Sequence, residues 1–579
     1  SQEVDKVCYL SLGRLAPLYA GIEFNLAEKL MIRALALAYQ QEESQVRGKY
    51  KELGDLGDVA ANYNAQAKAK AFSVSQVHQR LKLIADESGT GSVDRKIIGM
   101  ASLLGDLTAR EARYAVRILL GRLRLGFLDK TILDALSWLL GGDKSKRDVI
   151  EAAYNVQADV GQVAGLIKSK GLKGLRGLKV KLGVPIVPAL CQRLPTTEKI
   201  VEKMSQDKDS LGSGQNQPLI AVEPKYDGTR LQIHFSRKKK SLLIDDQLSF
   251  GFQPKVFVQI FTRNLENVTH MFPDLVKALS DEVKAEEVIL DGEAIGFDPK
   301  TGKLLAFQET IKRKRKHQVS QTAKEIPLRY YGFDLLFCDG QGLLEKSFKD
   351  RRTRLEKVLP KKNKLIVCSP QMITNDPQKI RLYHEQEVAK GLEGVVAKKW
   401  LSPYDPGKRG FTWVKLKQEK GKKGAGLADT LDCLVMGYYS GKGKRVKFGI
   451  GMFLVGIRVG KQFKRLKHFE RLGPEDFLTV SKVGTGLTDD QWREMKERSR
   501  KYEVRSQPKE YRVDKNMFPD VWLRPGIVVE IEADNITKSP IHTAGFAMRF
   551  PRLVRFRDDK SPGQTTTLKE VEELYGLQK

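Results

Sequence analysis

The sequence predicts a multidomain protein in which an all-α region is followed by an α+β region and a small C-terminal β-barrel. The chain has 579 residues, enough for three or four domains of roughly 150 residues each. In the first third, apolar residues recur at the three- and four-residue spacings of helices, whereas short β-rich runs bounded by turn residues follow. We expect boundaries that give the segments 1–190, 191–422 and 423–579.

The helical region contains two long stretches with helical periodicity, residues 26–40 and 95–140. Thr108 and Glu111 stand before an apolar run with the spacing of a capping box, in which each side chain accepts a hydrogen bond from the backbone N–H of the other residue. We therefore expect a helix to begin directly after Thr108.

Three arginines near the end of this helix are candidates for binding phosphate. Arg117, Arg122 and Arg124 lie close to Gly121 and Gly126. Glycine allows backbone N–H groups to approach a phosphate, and an arginine can bind two of its oxygens at once. The alternative is an ordinary solvated helix face, because runs of charge are common on helices.

The later regions alternate between connectors and short elements. Glycine- and lysine-rich connectors are expected at 168–188 and 421–426. The segment 236–255 is longer than a plain hairpin needs, which leaves a longer strand pair and a loop as alternatives. We expect a helix at 376–391. We expect strands at 220–235, 256–263, 288–297, 433–439, 452–459 and 527–532.

The charge of the chain indicates a polyanionic partner. Lys and Arg number 101 against 71 Asp and Glu, which gives a net charge of +30. Such an excess attracts nucleic acid or an anionic membrane, and the absence of a clear basic amphipathic helix favours nucleic acid. No stretch approaches about 18 uninterrupted apolar residues, which excludes a membrane span. The first residues lack the pattern of a secretion signal, so export is not expected.

The run from Val222 to Phe235, VEPKYDGTRLQIHF, holds a candidate nucleophile. Lys225 stands beside an Asp-Gly turn, and Arg230 follows at the start of a strand. A lysine is nucleophilic only when neutral, and nearby cations or desolvation lower its pKa. We therefore expect positive neighbours around Lys225. The alternative is an ordinary lysine in a surface turn.

Further short motifs follow in a defined order, and their chemistry suits a charged phosphate path. The strand-exit motif LDGEAIGFD carries Glu293, YYGFDLLFCDG carries Phe333, and EGVVAKKW carries Glu393. In WVKLK, the period of two residues in a strand places Lys415 and Lys417 on one face. Taken singly, each has an ordinary alternative: a core phenylalanine, a turn carboxylate or a solvated strand face.

In their order and residue sequence, these motifs resemble the nucleotidyltransferase motifs of ATP-dependent DNA ligases, most closely the archaeal and eukaryotic replicative type. The resemblance covers nearly the whole chain. The first third resembles the helical DNA-binding domain of that family, and the words VGTGLTDD and ITKSPIHTAG near the C-terminus resemble its OB-fold domain. The resemblance thus implies an all-α DNA-binding domain, an α+β nucleotidyltransferase (adenylation) domain and a C-terminal β-barrel of the OB-fold type.

The resemblance also implies a role for the residues of the nucleotide site. Lys225 is expected to be the adenylated nucleophile, Glu223 to recognise the adenine amino group and Phe333 to stack on adenine. Arg230 is expected to grip a nucleotide or nick phosphate, and Arg263 to hold the 5′-phosphate of the nick.

The remaining motif residues are implied to bind metal and phosphates. Glu293 and Glu393 are expected to contact the ribose or a divalent metal, Mg²⁺ or Mn²⁺. We expect the phosphate path to be lined by Arg409, Lys415 and Lys417. In the OB-fold, two arginines are expected to orient the leaving pyrophosphate: Arg549 and Arg552.

The function implied is an ATP-dependent DNA ligase that seals nicks in duplex DNA. A lysyl-AMP forms, its AMP passes to the 5′-phosphate, and the 3′-hydroxyl attacks. Two alternatives stay open: an RNA ligase or mRNA capping enzyme, which leaves the first 180 or so residues unexplained, and a non-catalytic duplex-DNA-binding protein, which has no need of Glu293 and Glu393.

The partners and the setting follow from the same resemblance. We expect a monomer that acts on nicked duplex DNA, with a sliding clamp as a further candidate partner and no membrane association. The expected location is the cytoplasm for an archaeal protein and the nucleus for a eukaryotic one. Because the chain begins at Ser1 rather than Met, a preceding segment stays open.

Overall fold

The computed structural model describes residues 3–64, 70–205, 219–239, 256–305, 307–314, 319–417, 429–441, 443–460 and 472–577. The chain divides into two compact units. The first comprises Ser1–Ala38 and Gln66–Lys417, and the second comprises Tyr39–Ala65 and Gln418–Lys579. The expected boundary at 422 lies close to the start of the main segment of the second unit. The expected boundary at 190 does not separate compact units, so the division into three domains stays a prediction.

The N-terminal region is helical. Its helices are α1 Val4–Ser11, α2 Glu28–Tyr39, α3 Glu43–Leu53, α4 Leu56–Tyr63, α5 Val74–Asp86, α6 Ser92–Asp106, α7 Ala109–Leu119, α8 Asp129–Gly141, α9 Arg147–Val156 and α10 Val160–Lys170. The capping box before α7 is confirmed: the Thr108 N–H donates to Glu111 Oε2 at 2.8 Å, and the Glu111 N–H donates to Thr108 Oγ1 at 3.3 Å.

The connector expected at 168–188 begins later than the sequence indicates. Helix α10 runs to Lys170 and ends where Gly171 takes a φ of +58°, and a 3-10 helix, Gly171–Gly177, follows. The extended part after it lies against strand β3 (Thr229–Ser236). Gln232 accepts a hydrogen bond from the Ile186 N–H at 2.8 Å, and His234 Nδ1 accepts one from the Gly183 N–H at 3.1 Å. The connector expected at 421–426 lies outside the described residues, and so does 240–255, the greater part of the segment 236–255.

The middle region contains two sheets with helices between their strands. One sheet has the order β1-β11-β10-β2-β9, and the other has the order β4-β3-β5-β6-β7, with β8 paired to β6. The strands are β1 Leu190–Arg193, β2 Ile220–Pro224, β3 Thr229–Ser236, β4 Phe257–Thr262, β5 Glu287–Gly296, β6 Leu328–Cys338, β7 Gln341–Gly342, β8 Ile366–Cys368, β9 Met372–Thr374, β10 Gly394–Lys399 and β11 Arg409–Lys417. The helices are α11 Thr197–Ser205, α12 Pro273–Glu282, α13 Phe307–Thr310, α14 Val319–Glu325, α15 Phe348–Val358 and α16 Pro377–Ala389.

Each sheet buries one face against helices and the other face towards its neighbour. Ile200 of α11 and Ile380 of α16 pack on Val222 and Val395 of the first sheet. Helices α12 and α15 pack in the same way on the second sheet. A third cluster joins Trp413 of β11 to strand β6. Burial on both faces is typical of apolar strands in the interior of a domain, and it holds the two sheets as the walls of a cleft.

The C-terminal region is rich in β-strands. Its main sheet runs β15-β17-β12-β13-β14-β16, with β18 between β12 and β21, and β19 pairs with β20. The strands are β12 Leu431–Ser440, β13 Ile450–Arg458, β14 Phe477–Val483, β15 Glu503–Val504, β16 Tyr511–Arg512, β17 Val521–Leu523, β18 Val528–Glu532, β19 Asn535–Lys538, β20 Phe546–Arg549 and β21 Arg552–Phe556, and the helices are α17 Asp489–Arg500 and α18 Leu568–Leu577. None of the helices in the described part of the chain has the length and apolar character that crossing a membrane requires.

Candidate active site

A cavity of about 420 Å³ opens between the two sheets of the middle region. This volume lies in the usual range for a small-molecule site. Residues of both sheets line it, and the residues named from the sequence that line it are Glu223, Lys225, Arg230, Arg263, Glu293, Phe333, Arg409 and Lys415. Motifs far apart in sequence thus meet in one place.

The KYDG turn places Lys225 in the wall of this cavity. The Lys225 N–H donates to the Gly394 carbonyl at 2.9 Å, and the Glu393 N–H donates to the Lys225 carbonyl at 3.1 Å. The turn then approaches β5 so closely that a Cβ on Gly228 would lie 2.4 Å from the Ala294 carbonyl oxygen. Only glycine permits this approach, which explains the Asp-Gly pair after the lysine.

Lys225 has the expected positive neighbours, Lys415 and Lys417, but its nearest charged group is a carboxylate, so the lowered pKa that a neutral lysine requires is not found. Its Nζ lies 2.5 Å from Glu393 Oε2, and Lys417 approaches the same oxygen at 2.9 Å. Burial alone lowers the pKa of Lys225, but Glu393, with Glu293 and Asp227, raises it above its ordinary value. Burial raises the pKa of Glu393, and the two lysines more than offset this and lower it to about 2.

Glu293 lies inside strand β5 rather than at its exit, because β5 stays paired with β3 as far as Ala294. Burial in the wall raises the pKa of Glu293 to about 7, although Lys225 and Arg230 oppose the rise.

Arg230 faces the cavity, but its guanidinium is held by the protein. Its Nε and Nη2 donate to Asp291 at 3.0 and 2.7 Å, and its Nη1 donates to the Ala189 carbonyl at 2.7 Å. These bonds use three of the five guanidinium N–H groups and tie β3 to β5 and to the residue before β1. The expected grip on a phosphate stays a prediction.

Glu223 is buried and Phe333 half-buried in the wall of the cavity. Glu223 is only 2% exposed. Lys398 Nζ lies 2.7 Å from its Oε2, and Arg352 Nη1 lies 3.2 Å from its Oε1. Burial raises the pKa of Glu223, and the two cations oppose that rise. The Phe333 ring meets Trp413 edge to face with centroids 5.9 Å apart.

The remaining cations line the opening. Arg263 directly follows β4, and Arg409 begins β11. Burial lowers the pKa of Lys415, and the nearby Lys225, Lys417 and Arg263 lower it further. Among the described residues, no three His, Cys, Asp or Glu side chains are grouped closely enough to hold a metal ion by themselves.

The other predicted residues do not line this cavity. In the helical region, Arg122 is paired with Glu28 at 2.6 Å, Arg117 lies over the Tyr114 ring, and Arg124 has a φ of +61°. Their role towards DNA stays a prediction. Two arginines of the second unit lie at the end of β20 and the start of β21: Arg549 and Arg552. Their role towards the leaving pyrophosphate also stays a prediction. Arg552 is paired with Asp534 at 2.8 Å.

The comparisons with known proteins agree with this site. Three family models match the chain: "DNA ligase N terminus" at residues 1–137, "ATP dependent DNA ligase domain" at 254–417 and "ATP dependent DNA ligase C terminal region" at 447–560. A "Probable DNA ligase" from Dictyoglomus turgidum is 39% identical over 586 residues, which cover 100% of this chain and 92% of that protein. The chain belongs to the ATP-dependent DNA ligase family.

Relatives of this ligase occur in archaea as well. A "DNA ligase 2" from Thermofilum pendens is 37% identical and covers 100% of this chain and 92% of its own. A "DNA ligase" from Sulfolobus acidocaldarius is 34% identical, with coverage of 99% and 92%. The family, the ligase activity and the use of ATP expected from the sequence are thereby confirmed.

Sequence reasoning gave no specific role to two buried cations of the ligase site. Lys398 belongs to the motif EGVVAKKW, but nothing in the pattern shows that its side chain points at Glu223. Arg352 stands among several arginines of α15, and no spacing rule separates it from its neighbours. A charged residue inside an otherwise apolar strand was the available signal for Lys398.

Proposed function

We propose that this chain seals nicks in duplex DNA in three steps: Lys225 takes AMP from ATP, the AMP passes to the 5′-phosphate of the nick, and the 3′-hydroxyl displaces it. The observation that carries the proposal is the position of Lys225, in the wall of a cavity of about 420 Å³ beside a buried carboxylate, an aromatic ring and several cations. That combination provides the parts that nucleotidyl transfer needs.

In the first step, the Lys225 amine attacks the α-phosphorus of ATP. The N–P bond forms, the bond to the bridging oxygen breaks, and pyrophosphate leaves with that electron pair. Lys225 must first lose a proton to solvent, because the Glu393 carboxylate at 2.5 Å has a pKa of about 2 and is too weak a base to take it. Arg263, Arg409 and Lys415 line the opening, where their charge stabilises the phosphoryl oxygens and the leaving group.

We further propose a divalent cation, Mg²⁺ or Mn²⁺, at Glu293 and Glu393. The fit rests on the place and chemistry of the two carboxylates: Glu293 lines the cavity and Glu393 lies 2.5 Å from Lys225 Nζ, and carboxylate and phosphate oxygens are the ligands that Mg²⁺ prefers. When bound, the cation supplies positive charge that lowers the pKa of Lys225 and neutralises the triphosphate. Without it, Glu393 holds Lys225 in the charged state.

The nucleotide base is proposed to lie between the two sheets. Phe333 offers a ring for stacking and Glu223 offers an acceptor for the adenine amino group. The DNA is proposed to bind the basic surface of a chain whose net charge is +30. Its expected contacts include Arg117, Arg122 and Arg124 for the duplex and Arg263 for the nick phosphate. Lys417 is proposed to act with Lys415 on the phosphate path, and Arg549 and Arg552 on the leaving pyrophosphate.

The finer architecture and setting belong to the same proposal. The two sheets of the middle region support a nucleotidyltransferase fold, and the β-rich C-terminal region supports an OB-fold. We propose that the chain acts as a monomer in the cytoplasm, in keeping with its bacterial and archaeal relatives. A sliding clamp is proposed as an additional partner.

The test is sealing and labelling with matched substrates. With α-labelled ATP and Mg²⁺, label should become bound to the protein, be released by pyrophosphate, and pass to a nicked DNA duplex that is then sealed. Lys225→Ala should abolish labelling, Lys300→Ala, at an exposed loop position, should not, and a chelator should stop it. Labelling by GTP alone, or sealing of broken RNA but not of nicked DNA, would contradict the proposal.

A further inference from the structure

Two buried cations hold the carboxylate of Glu223, one on each oxygen. Lys398 Nζ lies 2.7 Å from Oε2 and is 1% exposed, and Arg352 Nη1 lies 3.2 Å from Oε1 and is 5% exposed. Arg352 is itself fixed, because its Nη2 donates to the Ser369 carbonyl at 2.6 Å. A carboxylate held in this way is ionised, and an ionised carboxylate only accepts hydrogen bonds.

Lys398 also connects the two walls of the cavity. It stands on β10 of the first sheet, and its Nζ donates to the Phe333 carbonyl on β6 of the second sheet at 2.9 Å. The ammonium lies 4.7 Å from the centroid of the Phe333 ring and 4.2 Å from that of Trp413. One side chain therefore sets the position of the Glu223 carboxylate relative to the Phe333 ring.

We propose that Lys398 and Arg352 are positioning residues that make the cavity select a purine with a 6-amino group over a 6-oxo purine. This inference rests on the proposed function of the cavity as the ATP site. A 6-amino group donates a hydrogen bond to the ionised Glu223. A 6-oxo group and the Glu223 carboxylate are both acceptors, so neither finds a hydrogen-bond partner in the other. Sites built in this way reject the mismatched partner strongly.

The selection depends on the charge state of Glu223, so the nucleotide selectivity should vary with pH once one of the two cations is removed. Burial favours the protonated carboxyl, and the two cations oppose it. If one cation is removed, the carboxyl takes a proton more readily and becomes a donor that can serve a 6-oxo purine. The charged and titratable groups around Glu223 are Lys398, Arg352, Asp334, Tyr226, Tyr383 and Cys368.

Three of these groups, Tyr226, Tyr383 and Cys368, stay neutral between pH 6 and pH 8. Burial raises the pKa values of Tyr226 and Tyr383 well above neutrality and that of Cys368 to about 12. Asp334 is paired with Arg351 at 2.7 Å. A selectivity that varies between pH 8 and pH 6 in a Lys398 variant therefore reports on Glu223.

The experiment compares ATP with inosine 5′-triphosphate in covalent labelling of the full chain, as kcat/KM for each nucleotide at several pH values. The wild-type protein should prefer ATP by about 100-fold or more. Lys398→Met, which keeps most of the length of the side chain and removes its charge, should reduce that ratio by about tenfold or more, and further as the pH falls from 8 to 6. Lys398→Arg should restore most of the ratio. Arg352→Lys provides a second variant if Lys398→Met does not fold.

Two controls separate positioning from general damage. Arg351→Lys disturbs the neighbouring buried pair with Asp334, and should lower the melting temperature without changing the ratio. Glu223→Gln should itself reduce the ratio, and adding Lys398→Met to it should have little further effect. Variants that label with ATP and keep the wild-type ratio at every pH overturn the inference. Failure of the wild-type protein to label with either nucleotide overturns the proposed function instead.

Discussion

Replacing Glu393 with glutamine should lower the pKa of Lys225 in the free protein. The carboxylate lies 2.5 Å from Lys225 Nζ, and it is the strongest influence that raises this pKa. Glutamine keeps the shape and removes the charge. An opposite charge at such a distance shifts a pKa by about 1–3 units, so the neutral fraction of the amine at a given pH should rise by about ten- to a thousand-fold.

The assay is the pH dependence of acetylation of Lys225 by a trace amount of acetic anhydride, without nucleotide or divalent cation. Peptide mass spectrometry gives the rate at Lys225 relative to the exposed Lys300 in the same sample. Lys417→Gln serves as the control of sign: it removes the other cation on Glu393, so it should not lower the pKa of Lys225. An unchanged or higher pKa in Glu393→Gln would refute the electrostatic account of the site.

Three further predictions concern the framework that holds the site. Burial lowers the pKa of His234 to about 3 from 6.5. Between these pH values the histidine is protonated in the unfolded chain but neutral in the folded chain, so stability is lost as the pH falls below 6.5. Between pH 7 and pH 5, the free energy of unfolding from urea titrations should fall by about 2 kcal/mol more for the wild-type protein than for His234→Gln. Gly228→Ala brings a Cβ to within 2.4 Å of the Ala294 carbonyl oxygen, and should slow covalent labelling by at least about tenfold. Gly165→Ala, which meets nothing within 4 Å, should not slow it. Thr108→Ala removes the capping box of α7, and should destabilise the helical region by about 1 kcal/mol in thermal unfolding.

The sequence predicts the local elements well because they depend on neighbouring residues. The start of α7 after Thr108, the helix α16 and the strands around Lys225 all follow from spacing and turn residues. The order of motifs predicts most of the residues that line the cavity, because each stands on or beside a strand of one of the two sheets, but Glu393 and Lys417 lie beside Lys225 without lining the cavity.

The electrostatic environment could not be predicted in the same way, because it depends on which strands become neighbours. Pairing of β2 with β10 brings Glu393 to Lys225, a contact between distant parts of the chain. Pairing of β3 with β5 likewise places the Arg230 guanidinium against Asp291 rather than in solvent. The place of Tyr39–Ala65 in the second unit has the same origin, since nothing in its composition separates it from the other helices.

The most direct measurement for the central claim is the mass of the peptide that carries Lys225 after incubation with ATP and Mg²⁺. We expect that peptide to gain one adenylyl group through an acid-labile bond, and to lose it when nicked duplex DNA is added. An adenylyl group found on another residue, or a Lys225 peptide that stays unmodified while nicks are sealed, would contradict the account.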